Sequence, residues 1–159
     1  MQGYLTFFNI NSVKAILIAL VGMLFLTACD KPFASNYEGI WAGIIEEGGN
    51  VIMYEYHIEE SEGNAFVISV IRRYYNVTRS SDKVERAVWT SSEPKLFPAT
   101  YEDGLLKTPF GLLEYNIKDF NLRYKNHLFV RKAKNVEAKF KEQAKIALKR
   151  RYPRAVAYD

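Results

Sequence analysis

The chain has 159 residues, 48% of them hydrophobic and 25% charged, with one cysteine and a formal net charge of +4. That balance excludes a chain too polar to build a core, and a lone cysteine excludes a disulfide within the chain. The basicity belongs to one end: residues 30–130 hold 11 Lys/Arg against 15 Asp/Glu, a net of −4, while residues 131–159 hold 10 against 3, a net of +7.

The first predicted element is an apolar run over residues 15–28, which follows Lys14 and stops at Cys29-Asp30-Lys31. Fourteen residues at ~1.5 Å each span about 21 Å, short of the ~30 Å hydrocarbon core. That length suits the apolar region of a cleaved signal peptide, residues 1–28, better than a permanent membrane helix ending in an incidental cysteine. Residues 29–36 then read as a short tether. The seven residues after the cysteine, 30–36, reach at most ~25 Å when extended.

Residues 37–131 read as one antiparallel β domain, a small barrel or sandwich of about seven to eight strands. Residues 38–45 and 51–59 are strands around a Glu46-Glu47-Gly48-Gly49-Asn50 turn, and Ser61-Glu62-Gly63-Asn64 supplies the chemistry of a second hairpin. Residues 65–77 run back, a polar turn covers 78–82, and 83–91 is the next strand. Pro94 and Pro98 demote residues 95–101 to an edge strand or an irregular piece. Short strands follow at 105–109, 112–117, 120–124 and 128–131. Residues 132–153 read as a basic amphipathic helix. Val136, Phe140, Ala144 and Ala147 make its apolar face, Lys141, Lys145 and Lys149 line another, and Pro153 stops it before a tail at 154–159.

The segment Leu26-Thr27-Ala28-Cys29 resembles the lipobox of bacterial lipoproteins. The resemblance implies a thioether of diacylglycerol on Cys29, cleavage just before it, and a mature domain held on a membrane by that lipid. An aspartate directly after the lipidated cysteine resembles the inner-membrane retention signal of enterobacteria, so Asp30 favours the inner over the outer membrane. The expected location is the cell envelope, facing the periplasm. Lipidation also consumes a thiol that would otherwise be a liability in an oxidising compartment. A protein exported this way has little occasion to meet nucleic acid, and no nucleic-acid partner is expected.

At Gly39-Ile40-Trp41 the first strand resembles the lipocalin-type Gly-x-Trp signature. In that family the tryptophan closes one end of an eight-stranded barrel against an arginine near the end of the last strand, and a helix follows. Arg131 holds the corresponding place, which makes Trp41 and Arg131 the candidate barrel-closing pair. Trp41 also reads as ordinary core, and a smaller calycin-like barrel or an incomplete sandwich fits the 94-residue strand region as well.

No catalytic residue, metal site or cofactor is expected. His57 and His127 stand outside any metal-ligand spacing, and no nucleophile elbow or phosphate loop is present. Glu46/Glu47 and Glu59/Glu60/Glu62 flank turns, where carboxylates are usually solvated. Arg72-Arg73-Tyr74-Tyr75 reads as a recognition patch or as strand residues. The expected function is a non-enzymatic protein-binding module of the envelope, immunity- or inhibitor-like, with an envelope protein as partner. The alternative is a lipocalin-like carrier of an apolar small molecule in an aromatic-lined cavity.

Overall fold

The computed structural model describes residues 31–83 and 85–158. The signal-peptide segment, Cys29 and Asp30 lie outside the described residues. From Ala34 onward the chain is one compact unit. Its strands are β1 (Gly39–Glu47), β2 (Asn50–Glu60), β3 (Ala65–Arg79), β4 (Glu85–Ser91), β5 (Lys95–Glu102), β6 (Leu105–Thr108), β7 (Gly111–Asn116), β8 (Asn121–Tyr124), β9 (His127–Arg131) and β10 (Val156–Tyr158). One helix, α1 (Val136–Arg151), separates β9 from β10.

Eight strands close into an antiparallel barrel in the ring order β3-β2-β1-β9-β8-β7-β6-β5 and back to β3. The alternative of a sandwich is thereby settled. Closure comes from β1 against β9, with Trp41 opposite Arg131, Ala42 opposite Val130 and Gly43 opposite Phe129. Strand period two sends Trp41, Tyr56, Ile58, Phe66, Ile68, Leu106, Leu113, Leu122 and Phe129 inward, where all are buried. An eight-strand ring leaves an interior that side chains of this size can fill. Gly43 has to be small, because a Cβ there would come within 2.8 Å of the Phe129 ring.

The expected edge strand at 95–101 is corrected. β3 is fifteen residues long, and its free edge pairs with β5 over Ala65–Val70 and with β4 over Arg73–Arg79. β4 and β5 are therefore one long strand bent at residues 92–94, and β5 lies within the ring. Pro98 is tolerated because β6 pairs only with Thr100–Glu102, so the proline stretch has a single neighbour. Beyond the barrel, the β3–β4 ribbon carries β10, which pairs in parallel with Arg86–Val88. The stretch 154–159, expected as a tail, thus includes a strand.

Lys31–Ala34 is a helical turn and Ser35–Tyr37 a turn of 3-10 helix, with Ala34 and Tyr37 buried. Helix α1 is shorter than the expected 132–153, and packs outside the barrel against β2, β3 and β1. On that side Ala42, Met53 and Glu55 are buried although they alternate outward, which is how a covered sheet face reads. Ala144 and Leu148 are the buried residues of the helix, while Val136, Phe140 and Ala147 are half-buried. Leu148 joins Ala87 and Ala155 in a satellite core with Tyr75, Val77, Tyr152 and Ala157.

Candidate functional site

The barrel has one plugged end and one open end. The plug is built on Gly39-Ile40-Trp41 and on Tyr37 before it. Trp41 is fully buried, and its indole N–H donates to the Tyr37 carbonyl at 2.7 Å. The Arg131 guanidinium lies over the indole, 4.2 Å from the ring centroid, where a cation is attracted by the ring quadrupole. Its Nη2 donates to the Asn36 carbonyl at 2.9 Å and its Nη1 to the Glu38 carbonyl. The expected pair is therefore brought together. Gly39 makes room for it: at φ +113° the backbone is in a region that L side chains rarely adopt, and a Cβ would overlap Arg131 Nη1.

Tyr37 seats deeper. Its hydroxyl donates toward the carbonyls of Gly104 at 2.8 Å and Leu113 at 3.2 Å, and accepts the Tyr115 amide at 3.0 Å. Burial pushes its pKa up to about 12, so it stays a neutral donor. The rings of Tyr101 and Tyr115 pack edge-on and tilted against it, and Trp41 packs edge-on against Tyr115. The signal for this role was an aromatic four residues before the tryptophan, within reach of the indole N–H.

The open end holds a cavity of about 220 Å³. Tyr54, Tyr56, Phe97, Phe110 and Tyr124 form its aromatic wall, and Ile45 and Val70 its floor. Beneath, Tyr56 stacks on Phe129 at 4.5 Å and closes the way into the barrel. The rim is charged: Arg72 Nη2 bridges Glu47 Oε2 at 3.1 Å, Glu47 Oε1 accepts the Tyr54 hydroxyl at 2.6 Å, and Lys95 stands exposed beside Ser92. Burial, then the Glu47 hydrogen bond, push Tyr54 up to about 12. Arg72 Nε is buried and has no hydrogen-bond partner among the described residues. An unpaired buried donor costs free energy until something accepts from it.

Arg72 and Arg73 do not share a patch, because neighbours on a strand face opposite ways. Arg73 turns outward into a cluster under the start of α1. There Glu55, 2% exposed, accepts from Lys132 Nζ, lies 2.6 Å from His57 Nε2 and 3.6 Å from Arg73 Nε. Glu137 on α1 bridges Arg73 at 3.5 Å and Lys132 at 3.4 Å. Burial pushes the Glu55 carboxyl up, but the hydrogen bonds with His57 and Lys132 and the Lys132 and Arg73 charges outweigh it, so its pKa falls below 4.5. This cluster fastens the helix to the barrel. His127 begins β9 half-buried, Glu46 is exposed beside the mouth turn, and Glu59, Glu60 and Glu62 are exposed around the β2–β3 turn. Among the described residues no group of three or more His, Cys, Asp or Glu is arranged to hold a metal. Comparison of the chain with protein-family models, curated proteins and solved structures finds no match.

Proposed function

We propose that this chain is an envelope lipoprotein, lipidated on Cys29 and facing the periplasm, whose barrel is a non-enzymatic module that binds another envelope protein through its open end. Asp30 makes the inner membrane the favoured location. The observation that carries the binding reading is the mouth: an aromatic pocket with a charged rim, set over an interior already filled by side chains. At about 220 Å³ the pocket lies below the ~300–1,000 Å³ of small-molecule sites. It is deep enough for one anchoring side chain of a partner, the arrangement in which a few buried contacts carry most of the binding energy. Arg72 and Lys95 would meet an acidic group on that partner.

The carrier reading keeps one point in its favour, since a cationic rim over aromatic walls also suits a small molecule with an apolar body and an anionic head. Native mass spectrometry of protein extracted from cells separates the two. A stoichiometric protein partner that is retained by wild type and lost in Lys95→Glu supports the module. A co-purifying small ligand and no protein partner supports the carrier and overturns the module.

A further inference from the structure

The plugged end carries a feature that plugging the barrel does not require. The turn between β7 and β8 exposes two apolar side chains, Phe120 at 70% and Ile117 at 50%. Large exposed apolar residues are common singly on protein surfaces. These two, however, sit on one short turn of fixed shape. Asn116 Oδ1 accepts the amides of Lys118 at 2.9 Å and Asp119 at 3.3 Å, and Asn116 Nδ2 donates to Asp119 Oδ2 at 2.9 Å. Phe120 itself holds φ +51°, a left-handed conformation that glycine or asparagine adopts with less strain. The fold gains nothing from an aromatic side chain there, and water is a poor solvent for it.

The turn's place in the barrel indicates what covers it. Asn116 pairs with Asn121 at the end of the β7–β8 ladder, and Leu122 lies opposite Phe129 with β9 running on to Arg131. The turn is therefore at the end that Trp41, Arg131 and Tyr37 close. This is also the end at which the chain enters the barrel. Only seven residues separate Cys29 from Tyr37, and from Lys31 on they are helical rather than extended. A lipid on Cys29, or the apolar run 15–28 itself, would keep this end of the barrel beside the bilayer.

The opposite side of the same end is hostile to an anionic surface. The β2–β3 turn bears Glu59, Glu60 and Glu62, all exposed. In the ring order, the β2–β3 and β7–β8 turns lie four strands apart in either direction, diametrically across the plugged end. The β5–β6 turn, two strands from β7–β8, also exposes Glu102 and Asp103, with Glu102 bridged to Lys107 at 2.6 Å, while Lys118 and Asp119 balance each other on the β7–β8 turn. The β7–β8 turn is therefore the least acidic of the three hairpin turns at this end.

We propose that the Ile117–Phe120 turn is a second membrane contact, which inserts into the interfacial layer of the bilayer and fixes the barrel's orientation with its mouth turned away. The partner surface is lipid: the acyl–headgroup boundary takes up exposed aromatic and aliphatic side chains, and the Lys118 ammonium sits among anionic headgroups. This inference rests on the lipoprotein reading for the anchor that brings the turn to the bilayer.

The test uses the full chain, expressed in a bacterium, purified and reconstituted into vesicles of phosphatidylethanolamine and phosphatidylglycerol. Phe120→Trp, with Ile117→Trp as a second variant at the same turn, reports immersion through quenching by lipids brominated high in their acyl chains. Lys125→Trp, at the β8–β9 turn of the open end, is the control. The expected result is a blue-shifted emission and a loss of intensity at positions 120 and 117 and no loss at 125, over the constant background of Trp41 and Trp89. The mass of the Cys29 peptide is read from the same sample. Lipidated protein with emission unquenched at both turn positions overturns the membrane contact and leaves the lipoprotein reading standing. Quenching at the turn with an unmodified Cys29 supports the contact and overturns the lipid anchor. An unmodified Cys29 with no quenching overturns both.

Discussion

At the plugged end of the barrel, the indole N–H of Trp41, the hydroxyl of Tyr37 and the guanidinium of Arg131 each donate to a backbone carbonyl. At the mouth, the same strands leave a pocket of about 220 Å³, an exposed Lys95 and a buried Arg72 Nε with no partner among the described residues. Both ends use aromatic residues on inward positions, so composition does not distinguish them. Pairing of the donors within each aromatic cluster does. The three plug donors are all paired, while Arg72 Nε at the mouth pocket has no hydrogen-bond partner among the described residues, as is true of Arg73 Nε, Trp89 Nε1 and Asn121 Oδ1 elsewhere. Of these, only Arg72 Nε belongs to a residue lining the mouth pocket, open to an acceptor from outside the chain.

The comparison predicts a sharp asymmetry in what substitutions cost, and the plug should show the largest effect. Trp41→Ala removes a fully buried indole, its hydrogen bond and its contact with Arg131, and should cost about 3–5 kcal/mol, as such truncations do. Thermal or urea unfolding measures it. A loss under about 1 kcal/mol would mean that the plug is dispensable and that the two ends do not differ in kind.

The outer layer is next. Leu148 is 7% exposed in the satellite core, whereas Phe140 is only half-buried. Leu148→Ala should therefore destabilise by about 3 kcal/mol, and Phe140→Ala by less. The reverse order would show that α1 sits on the barrel by a different face. The face expected from a spacing of four, four and three was close to the observed one but missed Leu148. Helical position alone does not say that Ala87 and Ala155 will arrive from two distant segments to cover it.

The same limit explains what else could and could not be read. Gly39-Ile40-Trp41 and Arg131 were legible as a candidate pair because a glycine beside a bulky aromatic is a local pattern, and in the fold a Cβ at Gly39 would overlap the Arg131 guanidinium. Hairpin boundaries were legible because turn chemistry is local. Tyr37 simply opens the β domain at 37–131 in the sequence, and its deeper role is hidden because its acceptors, Gly104 and Leu113, lie 67 and 76 positions away. Pro94 and Pro98 mark residues 95–101 as an edge strand or an irregular piece, and the strand is indeed interrupted at 92–94. That the chain resumes along the same edge of β3 depends on the length of β3, which pairing decides. β10 could not be seen at all, since three residues carry no period and its parallel partner is β4.

Acid should loosen α1 before it loosens the plug. The folded pKa of Glu55 is depressed below 4.5, so its contribution to stability is present above that value and is lost as pH falls through the folded pKa. The side chains that hold the plug, Trp41, Tyr37 and Arg131, include no carboxylate. Proteolysis within α1, followed between pH 7 and pH 3, should accelerate in wild type while the barrel remains folded. In Glu55→Gln the pH dependence should flatten, because that carboxylate no longer takes up a proton. A wild-type profile with no acid limb, or a Glu55→Gln profile identical to wild type, would remove Glu55 from this role.

The smallest effect on stability is expected at the mouth, and there the comparison is most exposed to failure. Arg72 spends one bond on Glu47, and both side chains are more than 40% exposed. Bridges of this kind contribute roughly 0.2–1 kcal/mol after screening. Against that stands the buried, unpaired Nε, whose desolvation is uncompensated. The two oppose each other, and Arg72→Met also loses the guanidinium over the Tyr54 ring, 5.5 Å from its centroid, so the variant should change stability by no more than about 1 kcal/mol. Its effect on binding should be far larger. If the guanidinium is kept partly unpaired for a partner's acidic group, the methionine variant should fold normally and lose the partner, in calorimetry or in native mass spectrometry. A variant that melts well below wild type would place Arg72 among the structural residues. A variant that melts normally and still holds the partner would move the binding surface away from the mouth.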